Sequence, residues 1–154
     1  MIDVQIDEAL ENAHPGAGKW APALQQAAEV SLALSQAPEA AELTILLSDD
    51  RRLQELNRQF LEIDAPTDVL SFPAGDLLPE DETVYLGDII ISLERAEAQA
   101  AAGGHVIAHE LQLLVVHGVL HLLGLDHATA EEKAAMWALQ AAALNQLGIN
   151  LTPP

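Results

Sequence analysis

No cysteine occurs in this chain. Disulfides and thiolate metal ligands are therefore excluded, and a bound metal would have to be held by histidine or carboxylate. Aromatic residues make up only 3% of the composition while half of it is hydrophobic, so the core must be built from Leu, Ile, Val and Ala. Cations are scarce: Lys19, Arg51, Arg52, Arg58, Arg95 and Lys133 face 24 acids, for a net charge of −18 over 154 residues. Such a chain is a poor unaided binder of long nucleic acid, because phosphate backbones are bound through Lys and Arg. Arg51, Arg52 and Arg58 lie close enough in sequence to form one local basic patch. No apolar run approaches the ~20 residues of a membrane span. The alternating, acidic start Met1–Asp7 lacks the basic and apolar regions of a secretory signal. These absences lead to the expectation of a cytoplasmic protein with no membrane partner, folded as one domain over residues 1–154.

What the chain has instead is histidine in one place. Within His117-Gly118-Val119-Leu120-His121-Leu122-Leu123-Gly124-Leu125-Asp126-His127, the first two histidines are spaced i, i+4. On a helix they project from one face, a turn apart. Gly124 stands where that helix would end, since glycine accepts the left-handed angles that reverse a chain. The reversal would carry His127 back toward the pair. Three neutral imidazoles converging on one point make an open zinc site with a fourth position free. Zinc there would lower the pKa of bound water steeply, to about 7. The flanks are strongly apolar, so this helix is expected to be buried, and a shared metal would satisfy three otherwise costly polar rings.

The spacing also matches the metzincin proteases, which place a glutamate after the first histidine as general base. Gly118 occupies that position here, so a peptidase mechanism loses its base. Asp126, beside His127, is a candidate to orient a ligand or take a proton, or a turn residue. Asp68 and Thr67 either shape the cleft or bond the turn after Pro66, and Asp88 reads as a support for the site or a turn acid. His14 falls in a Pro/Gly loop. His105 and His109 read as helix-surface residues too far along the axis to join His117.

The remaining pattern reads as alternating elements. Strands are expected at 2–7, 43–47, 69–72 and 84–91 from alternation or β-branched apolar runs. Helices are expected at 19–36, from the Ser48-Asp49-Asp50 cap to before Pro66, at 93–102, at 105–123 and at 129–147. Leu53, Leu56 and Phe60 form one face of the second helix, and residues 74–83 read as an exposed acidic loop. The natural layer solution is an α+β fold: a single small mixed β-sheet packed with several α-helices, the histidine-bearing helix central.

HGVLHLLGLDH resembles the signature of the YbeY endoribonucleases, or rRNA maturation factors. Leu56-Asn57-Arg58-Gln59-Phe60 with Asp64-Ala65-Pro66-Thr67-Asp68-Val69-Leu70-Ser71-Phe72-Pro73 resembles that family's central motif, and Leu86-Gly87-Asp88-Ile89-Ile90-Ile91-Ser92 follows in the same order. The resemblance runs from about Leu43 to the C-terminal helix. It implies zinc on His117, His121 and His127, one ion per chain, and single-stranded RNA as substrate. It also implies maturation of the 3′ end of small-subunit rRNA, ribosome quality control, and association with the small ribosomal subunit and assembly proteins; DNA is not expected. The family's usual arginine after the motif's aromatic is Leu61 here, and Arg58, one turn earlier, is a candidate RNA-binding substitute. The alternative is a non-catalytic ribosome-assembly factor with a structural zinc. Three good ligands rather than four favour catalysis.

Overall fold

The computed structural model describes residues 1–74, 84–125 and 128–151. Its elements are β1 (Ile2–Ile6), α1 (Glu8–Ala13), a 3-10 turn (Ala17–Trp20), α2 (Ala21–Leu34), β2 (Ala41–Ser48), α3 (Asp50–Leu61), β3 (Val69–Pro73), β4 (Val84–Ser92), α4 (Leu93–Gly103), α5 (Ile107–Leu122) and α6 (Ala130–Gln146). The four strands form one mixed sheet in the order β1-β2-β4-β3. β1, β2 and β4 run parallel, and β3 lies antiparallel along the β4 edge. This is the expected α+β arrangement.

Strand alternation divides the core between the two faces of the sheet. Leu43, Ile45 and Leu47 of β2 and Ile89 and Ile91 of β4 enter the main cluster with α2, α4 and α5. Ile90 of β4 faces the other way and joins Leu53 of α3 and Leu70 of β3. α5 is buried on nearly every side, from Glu110 through Leu122. Gly118 explains how it comes so close to the sheet. A Cβ there would stand 2.9 Å from Ile89 Cγ2 and 3.1 Å from its Cδ1. The glycine that removes a protease base is thus a packing requirement, and a glutamate in its place would collide with the centre of β4.

Capping side chains set the helix starts. Asp7, Asp49, Ser92 and Thr129 each accept a backbone N–H of the first turn. The expected helix at 19–36 divides into the 3-10 turn and α2, because Pro22 suits a first helical turn. α1 went unread in the sequence; it spans six residues and buries only Leu10, too short for a periodic signal. The expected helix at 105–123 begins at Ile107 instead. α5 is bent 116° from α4, and His105 sits in the corner between them. No single helix among the described residues is long and apolar enough to cross a membrane.

Candidate active site

α5 delivers the histidine pair as its i, i+4 spacing dictates. The His117 and His121 rings lie with centroids 4.5 Å apart and planes at 72°. Their Nε2 atoms converge to 2.9 Å. Two nitrogens bound tetrahedrally at 2.0–2.1 Å from one zinc would stand about 3.3 Å apart. The pair therefore suits a metal with a shift of a few tenths of an ångström.

A residue from α6 orients the first ring. Gln140 is 1% exposed. Its Oε1 lies 3.1 Å from His117 Nδ1. The amide oxygen accepts the Nδ1 hydrogen, which leaves the Nε2 lone pair directed at the site, the arrangement that metal-binding histidines require. Sequence reasoning missed Gln140; its one signal was a glutamine among alanines on a helix facing the core.

Past His121 the helix ends in a Schellman turn. The Leu125 N–H bonds Leu120 O at 3.0 Å, the Gly124 N–H bonds His121 O at 3.0 Å, and Gly124 adopts φ +92°. The expected reversal is thus present at Gly124. His127 and Asp126 lie outside the described residues. Among the described residues no group of three or more His, Asp or Glu side chains gathers as a metal site.

β3 forms the opposite wall. The Ser71 hydroxyl donates to the Gly118 carbonyl at 3.4 Å, tying β3 to α5. A cleft of about 360 Å³ opens between them, lined by Leu61, Asp68, Leu70, Ser71, His117 and His121 among others. Asp68 both lines this cleft and bonds its own turn. Its carboxylate accepts from the Val69 N–H at 2.8 Å and from Gln99 Nε2 at 3.3 Å. Asn57, buried in α3, donates to Ala65 O at 3.0 Å and pins the loop that leads to Asp68. Arg58 is exposed on α3 and is not among the cleft's lining residues, whereas Leu61, 53% exposed, is. Of the expected basic patch, Arg52 pairs with Asp7 at 3.5 Å. Phe60, expected on one face of α3 with Leu53 and Leu56, is 59% exposed and packs edge-on against Phe72.

Of the other sequence candidates, Asp88 is not among the cleft's lining residues, while His105 lines a second cavity together with His117. Asp88 accepts from the Tyr85 hydroxyl, which also bonds Thr44 Oγ1 at 2.8 Å. Burial foremost, and then the Asp88 hydrogen bond, push the Tyr85 pKa above its ordinary value. His105 is not a helix-surface residue: its Nε2 lies 2.7 Å from Glu110 Oε2, and the glutamate is buried.

Comparison with known proteins bears on the family of the chain. The family model described as Endoribonuclease YbeY matches residues 6–148. A protein of that name from Roseiflexus sp. (strain RS-1) is 46% identical over 133 residues, covering 82% of this chain and 83% of its own. One from Geobacillus thermodenitrificans is 39% identical, covering 96% and 99%. One from Azorhizobium caulinodans is 42% identical, covering 97% and 93%. A solution structure of a Thermotoga maritima protein matches the fold with a TM-score of 0.57 at 25% identity, over 96% of this chain and 92% of that one. A match of this extent to both the family model and its members places the chain in the YbeY family of endoribonucleases.

Proposed function

We propose that the chain acts as a single-domain, zinc-dependent endoribonuclease that cuts single-stranded RNA in the cleft between α5 and β3. The observation that carries this reading is the convergence of His117 Nε2 and His121 Nε2, with Gln140 holding the first ring in the ligating tautomer. His127, three residues beyond Gly124 in the sequence, is proposed as the third ligand, and Asp126, its neighbour in the chain, as a proton acceptor. Zinc bound there supplies a Lewis acid at neutral pH. The chain's own residues do the rest. His117 and His121 set the position of the ion, Ser71 and Gly118 hold the cleft's walls in register, and Leu61 and Leu70 offer apolar surface beside it.

Family membership supports RNA as the substrate, and we propose ribosomal RNA in particular. The proposed role is 3′-end maturation of the 16S species and ribosome quality control in the cytoplasm, in contact with the small subunit and its assembly proteins. Arg58, exposed on α3, is proposed to meet RNA outside the cleft. With a net charge of −18, RNA binding should be weak and salt-sensitive unless a protein partner delivers the strand.

The test is cleavage of a single-stranded RNA by purified protein, with and without a chelator, beside a folded His121→Ala variant. Loss of cleavage in both supports the hydrolytic site. A zinc-loaded wild type no more active than the variant favours a non-catalytic assembly factor, with Leu61 at the cleft as the feature to examine first.

A further inference from the structure

A second cavity, about 390 Å³, shares Asp68, Val69 and His117 with the cleft. Its volume is in the range of small-molecule sites. Leu113, Leu114, Trp137 and Leu151 give it apolar walls, and no Lys or Arg among the described residues lines it. Asp68, His105 and Glu110 line the same space. A phosphate would meet two acids and neither Lys nor Arg there. What suits such a space beside a phosphodiester is the uncharged part of a nucleotide.

Two buried polar side chains narrow the choice. Glu110 is 6% exposed, with His105 Nε2 2.7 Å from its Oε2. A carboxylate offers about four acceptor positions, so it keeps capacity for a further N–H donor. Gln140 is 1% exposed, and its Oε1 is engaged by His117. Its Nε2 has no hydrogen-bond partner among the described residues, a costly condition for a buried amide that a ligand acceptor would relieve.

We propose that this cavity receives a nucleobase flanking the cleaved bond and selects bases that carry an exocyclic amino group over uracil. The location rests on the endoribonuclease reading; the selectivity rests on the cavity. Glu110 accepts the amino hydrogens of guanine, adenine or cytosine. Gln140 Nε2 donates to a ring nitrogen or carbonyl oxygen of the same base. Trp137 and the leucines cover its faces, as single-strand binders commonly do. Uracil has one ring N–H between two carbonyl oxygens, so it brings an oxygen against the Glu110 carboxylate.

The experiment sequences the ends made from a random single-stranded RNA pool. Uracil is expected to be depleted about tenfold or more at one position beside the cut. Glu110→Gln, which offers both a donor and an acceptor, should abolish that depletion. Leu151→Trp, at a partly exposed position, should also abolish it by filling the cavity, and guards against a Glu110 variant that fails to fold. Quenching of Trp137 fluorescence by guanosine and by uridine, in a Trp20→Phe background, reads the cavity without cleavage. Guanosine-selective quenching in a protein that cuts no RNA would uphold the cavity and sink the nuclease reading. Cleavage without base bias, a bias that survives both variants, or equal quenching by both nucleosides would overturn the proposal.

Discussion

Replacing Gly118 by alanine should weaken the protein, although the same change in most helices strengthens it. In an open helix interior, Gly→Ala gains about 1 kcal/mol of helix propensity. At Gly118 the added methyl meets Ile89 at 2.9, 3.1 and 3.2 Å, and Ile89 is fully buried with a stiff β-branched side chain. Overpacking of this kind costs about 1–3 kcal/mol. The net expectation is a loss of ~1 kcal/mol, or about 2–4 °C in Tm for a chain of this size. Ile89→Ala alone should cost ~2–5 kcal/mol through its cavity. In that background all three contacts vanish and the new methyl fills space, so Gly118→Ala should become favourable by up to ~1 kcal/mol. The implied coupling, about 2 kcal/mol, is within the range of directly packed residues. Urea unfolding of the four proteins measures it. A stabilising Gly118→Ala in the wild-type background, or the same effect in both backgrounds, refutes the close-approach argument.

Gln140→Leu preserves size but removes the acceptor of His117 Nδ1. Zinc affinity, measured by competition with a chromophoric chelator, should fall about 10–100-fold while the fold is retained; unchanged affinity would mean the amide does not orient the ring. Leu61→Arg puts a cation at the cleft, so RNA cleavage should rise. The salt dependence of KM should steepen by ~0.7 in log–log slope if one phosphate of a single strand is contacted, and an unchanged slope would exclude that contact. Tyr85 is the single tyrosine, so its phenolate absorbance reports one group. It should titrate above 10.0, and Asp88→Asn should move it back toward that value. Because the folded pKa is raised, its contribution to stability is complete below pH 10 and is lost as pH climbs through the folded value. A wild type that titrates at the ordinary value would contradict the burial and hydrogen bond inferred.

Local signals in the sequence reached far. The i, i+4 spacing of His117 and His121, the glycine stop at Gly124, the Thr129 cap, the alternation of β1 and the β-branched apolar run of β2 each depend on neighbours within a few residues, which a linear string displays. So does the family motif around Asn57 and Asp68. Tertiary structure decided what depends on distant partners. Gln140 reaches His117 only because α6 packs on α5. Gly118 is required by Ile89 on another element, and the sequence showed merely a missing glutamate. His105 turned inward because α4 and α5 meet at 116° and bring its ring to Glu110. Sequence determined which chemistry the chain carries, since residue type and local spacing set what can bind a metal. Packing between elements decided which polar groups orient that chemistry and what space lies beside it, because those contacts join residues far apart in the chain.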